Sequence, residues 1–159
     1  MNSKKVEKSV FVLGTLAVAV VTLLIVVIFN NHHHGQSNAK KYANWKSSFT
    51  IVVSQEQSDY NQTITALSNN DASASQQYFA NLSTDAVAIT KQNTSPDPIL
   101  NNDVSLWADS ITTLATDGIS AVNNPSSATA MSTFQNDVTN YEDAHNALTA
   151  QVALDNGKY

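Results

Sequence analysis

The sequence predicts an all-α protein: an N-terminal transmembrane helix followed by an antiparallel up-down-up-down four-helix bundle. Three observations predict it. Residues 10–29 form twenty consecutive uncharged positions, four later segments repeat apolar residues at spacings of three and four, and helix-stopping clusters separate those segments.

The apolar stretch, VFVLGTLAVAVVTLLIVVIF, contains only Gly14, Thr15 and Thr22 as less apolar positions. At the helical rise its length is about 30 Å, which matches the hydrocarbon core of a bilayer. A soluble helix this long would show a polar face, and this one shows none. Lys4, Lys5 and Lys8 precede it, so residues 1–9 read as a short basic cytoplasmic tail, with the bulk of the chain outside the cell membrane. The run is longer than the core of a cleaved signal peptide, which favours a permanent signal-anchor in a single-pass protein. The alternative is secretion after cleavage near Ala39, where Ser37-Asn38-Ala39 supplies a small-x-small site.

Residues 30–39 are polar, contain Gly35 and read as a juxtamembrane linker, with a continuous helix as the alternative. Residues 40–159 form the extracytoplasmic domain, with helices expected at about 40–68, 72–94, 99–122 and 125–155. In the first, Tyr42, Trp45, Phe49, Val52, Val53, Tyr60, Ile64 and Leu67 share a face. Thr50-Ile51-Val52-Val53 would suit a strand, but the flanking period and the lack of a second strand-like run decide for helix. The second is shorter, with Tyr78, Phe79, Leu82, Ala86 and Ile89. The third carries Leu100, Val104, Trp107, Ile111, Leu114, Gly118 and Val122, its seam glycine suggesting close backbone approach. The fourth has the clearest heptad seam, Met131, Phe134, Val138, Tyr141, His145, Leu148 and Val152, with Asn124 before Pro125 as N-cap and first-turn proline, and Asn156-Gly157 as its end. Trp45 and Trp107 fall on seams and read as core.

The 159 residues carry net charge −5, and all eight basic residues are lysine. Without arginine there is no bidentate grip on phosphate, and nucleic-acid binding is set aside. Ser, Thr, Asn and Gln together number 60, so the polar surface is mostly neutral. The chain has no cysteine, which excludes thiol nucleophiles, thiolate-bound zinc, iron–sulfur clusters and a lipoprotein anchor. Four scattered glycines make no phosphate loop, and a hydrolytic serine would have only His145 as base within the bundle. No enzyme activity and no cofactor are therefore expected. Asn61-Gln62-Thr63, Asn81-Leu82-Ser83 and Asn93-Thr94-Ser95 match glycosylation acceptors, at the rate chance allows in so Asn-rich a chain.

His32-His33-His34 is a weak metal-ligand candidate beside the plainer reading of a solvated linker. Glu142-Asp143-Ala144-His145 has the Glu-x-x-His spacing of di-iron bundles, but two such motifs and two more inward glutamates are required, and the ectodomain holds one other glutamate, Glu56. Glu56 and His145 themselves sit on the apolar faces of neighbouring helices. A partly buried contact between them would fix helix register, the alternative being that they face solvent at the bundle edge.

The expected function is a non-enzymatic, membrane-anchored helical-bundle protein, a protein-interaction or spacer module at the cell surface. Its partners would be the lipid bilayer through residues 10–29 and a protein of the cell envelope. Gly14, Ala17 and Ala19 allow close contact between transmembrane helices, but G-x-x-x-G is missing, so homo-oligomerisation is left open. The alternative is a ligand-sensing ectodomain of a receptor-like or envelope accessory protein that works through a partner.

Overall fold

The apolar seams become helices. A computed structural model of the chain describes residues 36–159 and contains four of them, with no strand among the described residues: α1 (Gln36–Ser68), α2 (Ala72–Thr90), α3 (Pro98–Asn123) and α4 (Ala128–Lys158). The apolar segment 10–29 and His32-His33-His34 lie outside the described residues. No helix among the described residues is long and apolar enough to cross a membrane.

α2, α3 and α4 each begin at a side-chain cap. Asp71 accepts from the Ala74 amide at 3.0 Å, Asp97 from Ile99 and Leu100, and Ser127 from Ala130 at 3.2 Å. Pro98 occupies the first turn of α3, where a missing N–H costs nothing. The turn between α1 and α2 passes through Asn70 at φ 55°, a left-handed conformation that asparagine tolerates better than most residues.

Four boundaries differ from the sequence reading, two of them for a local reason. α2 stops at Thr90 rather than near 94, because Gln92 and Asn93 turn back to the carbonyls of Ile89 and Thr90. Asn101 then pins the following loop, accepting from the Ser95 amide at 2.7 Å and donating to the Ser95 carbonyl at 2.9 Å. Asn124 caps the end of α3, and Pro125 lies inside the 124–127 turn closed by the Ser127 amide on the Asn124 carbonyl, so α4 starts three residues after the proline. At its other end α4 runs through Gly157 to Lys158. The linker's last residues are helical, since α1 begins at Gln36.

The four helices pack around one core whose members come from every seam: Phe49 and Tyr60, Phe79 and Leu82, Trp107 and Ile111, Tyr141 and Leu148. Consecutive helices lie backbone-close. α1 and α4 instead meet through long side chains. The Tyr42 hydroxyl donates to the Val152 carbonyl and to Asn156, Lys46 donates to Asn156 at 3.0 Å, and the Tyr60 and Tyr141 rings stack at 4.9 Å. These contacts pair the start of α1 with the end of α4, so the two helices run in opposite senses. By its length α2 covers only about 28 Å of the roughly 50 Å of α1. The loop after it closes the remaining side, its Gln92 carbonyl accepting from the Trp45 indole at 2.6 Å.

Gly118 makes room for a ring and not for a backbone. A β-carbon there would lie 2.3 Å from Phe79, whose ring meets Phe134 edge-on at 5.6 Å. The close approach expected from the seam glycine is thus made by an aromatic side chain.

Candidate functional site

The seams carry the interior's polar groups as well as its apolar ones. Glu56 lies one turn after Val53 and one turn before Tyr60, and this period buries it to 2% exposure. The Tyr141 hydroxyl donates to Glu56 Oε1 at 2.9 Å. Burial pushes the Glu56 carboxyl up to about 8, and Asp85 and Asp59 push the same way against the Tyr141 hydrogen bond. Near neutral pH Glu56 therefore carries its proton.

His145, one turn after Tyr141, is also buried. Its ring lies edge-on to Trp107 at 5.6 Å and stacks on Tyr141 at 6.1 Å. Its Nδ1 reaches no hydrogen-bond partner, and burial lowers its pKa to about 4, so the imidazole is neutral. Glu56 and His145 thus share Tyr141 as a neighbour, and the hydrogen bond from Tyr141 goes to Glu56. The Trp107 indole N–H, wholly buried, also completes no hydrogen bond.

Beside Glu56 stands Asp59, which gathers donors from Gln55 at 2.8 Å, Gln62 at 3.3 Å and, across from α2, Asn81 at 3.2 Å. Asp85 of α2 faces it. Burial first, and then the charge and the hydrogen bond of Asp59, push Asp85 up to about 7. At the end where α1 begins, Lys158 pairs with Asp97 at 2.5 Å, and the Lys158 hydrogen bond holds Asp97 below the usual carboxylate range. Asp155, one turn after Val152, is pushed up to about 6 by burial and by Asp97.

These groups can hold protons and fix helix register. Among the described residues no group of three or more histidines and carboxylates is placed to hold a metal ion. Glu142 and His145, the pair with di-iron spacing, are set in different surroundings, Glu142 being half-buried beside Asp143 and His145 enclosed by aromatic rings. The sequence reading missed Asp59, Asp85, Asp137 and Asp155. Their signal was positional: Asp155 continues the α4 seam three residues past Val152, and Asp85 stands between Leu82 and Ile89.

At the opposite end, where α1 and α3 finish, a hollow of about 260 Å³ opens between the helices. Leu67, Gly118, Val122, Met131 and Phe134 line it, with Ser75 among its few polar neighbours. The Ser75 hydroxyl is already committed to the Asp71 carbonyl at 2.7 Å.

Comparison with family models, with curated proteins and with solved structures found no match.

Proposed function

We propose that the chain is a non-enzymatic, single-pass membrane protein that holds an up-down-up-down four-helix bundle at the outer face of the cell as a protein-interaction or spacer module. The observation that carries this reading is the uncharged run at residues 10–29, separated by six residues from Gln36, the first described residue of α1. Short turns and long helices support a spacer, and helix faces rich in Asn, Gln, Ser and Thr support contact by hydrogen bonds more than by charge steering. The test is alkaline carbonate extraction of membranes from cells making the full chain, followed by protease treatment of intact cells. The chain is expected in the pellet with its bundle cut from outside, and crosslinking there should return envelope proteins. Release of uncut chain by carbonate would overturn the anchor, whereas a mature N-terminus near Ala39 would indicate secretion.

The hollow beside Gly118 favours a second reading, a ligand-sensing ectodomain working through a partner. It is larger than the roughly 150 Å³ cavity that is known to admit benzene in another protein, and its lining suits a neutral apolar molecule. A thermal-shift screen with small aromatic and aliphatic probes should raise the unfolding temperature under this reading, and Val122→Trp should abolish the rise.

A further inference from the structure

Three interhelical contacts set a carboxyl against a carboxyl: Asp59 with Asp85 between α1 and α2, Asp117 with Asp137 between α3 and α4, and Asp97 with Asp155 between the start of α3 and the end of α4. In each pair one member has a buried oxygen that no donor reaches: Asp85 Oδ2, Asp137 Oδ2 and Asp155 Oδ2. Two ionised carboxylates only accept, so neither can satisfy the other. One proton between them supplies the missing donor.

We infer that the three pairs are acid-set clamps, each tying two helices through a shared proton and loosening them when that proton leaves. The hydrogen bonds show which member keeps it. Around the first pair, Gln55, Gln62 and Asn81 all donate to Asp59 and none to Asp85, so Asp85 is the member left to hold the proton. The other titratable group facing this pair is Glu56, on α1. In the third pair Asp97 takes two backbone amides and Lys158, while Gln151 reaches only the other oxygen of Asp155. Tyr42 of α1 also faces that pair. In the second, Asp117 is half-buried, Asp137 is enclosed, and Asp117 is the charged group that acts on Asp137.

The chain has no arginine, and Lys158 makes the one ion pair found among the described residues. Protons are thus the counter-charge this fold uses between its acids.

Burial and the partner carboxyl raise Asp85 to about 7 and Asp155 to about 6, and they raise Asp137 as well. The folded form therefore holds protons that the unfolded chain has already lost, and the stability they bring is complete below the ordinary aspartate pKa and drains away as pH climbs through these values. Glu56 acts in the same direction. His145 and Asp97, both lowered, act in the opposite direction as pH falls, His145 from about 6.5 toward 4 and Asp97 in the carboxylate range. Between pH 8 and pH 5.5 the acids outnumber the single histidine, so acidification tightens the bundle.

The experiment is urea unfolding of the full chain in a nonionic detergent, followed by fluorescence of the buried Trp45 and Trp107. The midpoint should be lower at pH 8 than at pH 5.5. The triple variant Asp85→Asn, Asp137→Asn, Asp155→Asn donates without titrating, and it should regain roughly 0.5 M or more in urea midpoint at pH 8 and flatten the dependence. A wild-type midpoint equal or higher at pH 8, or a triple variant as pH-sensitive as the parent, would overturn the inference. Should the variant not fold, carbon-13 titration of aspartate side chains in the unaltered chain decides. Aspartate carboxyls that titrate well above the ordinary aspartate range, Asp85 and Asp155 among them, support the clamps, and none doing so overturns them.

Discussion

At position 141 a tyrosine lays its ring on Tyr60 and aims its hydroxyl at Glu56, and the two roles can be separated by substitution. Tyr141→Phe keeps the stack but strips the buried carboxyl of its donor, and it should lower unfolding free energy by about 1–3 kcal/mol in urea titrations. Glu56→Gln replaces a protonated acid by an amide of the same shape, and at pH 6 it should cost less than about 1 kcal/mol. Above pH 8 the order with the parent should reverse, because the parent must then either ionise Glu56 in the core or hold its proton against the solution. Glu56→Gln should leave the titration of His145 where it is, since desolvation alone lowers it.

At the start of α3 one residue holds two elements. Asp97 caps its first amides and binds Lys158 near the end of α4, so one side chain ties a helix start to a helix end. Asp97→Ala should cost about 1–2 kcal/mol by loss of the cap. Hydrogen exchange should show faster opening at Ile99 and Leu100 than at the amides of Ile111 and Leu114. This element also shows where sequence reading succeeds and stops. Leu100, Val104, Trp107, Ile111, Leu114, Gly118 and Val122 were placed on one seam by spacing alone, and all but the half-buried Val122 are buried. Spacing could not tell that Phe79 fills the gap at Gly118, because that depends on the vertical register of α2 against α3. Nor could it tell that Pro125 closes a turn, since proline serves equally at the start of a helix and inside a turn.

For the whole molecule, the number, order and core faces of the helices within residues 36–159 were legible, because heptad periods and breakers are local signals. The carboxyl pairs were not. An aspartate beside a seam reads as solvated until a second helix places another acid against it, as Asp137 does only once Asp117 is opposite. The same holds for Glu56 and His145: the burial of each follows from its own helix, while the choice of Tyr141 as the hydrogen-bonding neighbour follows from the fit of α1 to α4. The low surface charge was legible, but that half of the twelve side-chain carboxyls in residues 36–159 are buried was not.

The ring of Tyr159 rests 5.0 Å from that of Tyr42, so the last described residue returns beside the first turns of α1. A reporter fused after Tyr159 would leave from the crowded base and displace this stack. A label meant to project into open solvent belongs instead at the far tip, in the exposed stretches 69–71 or 124–126.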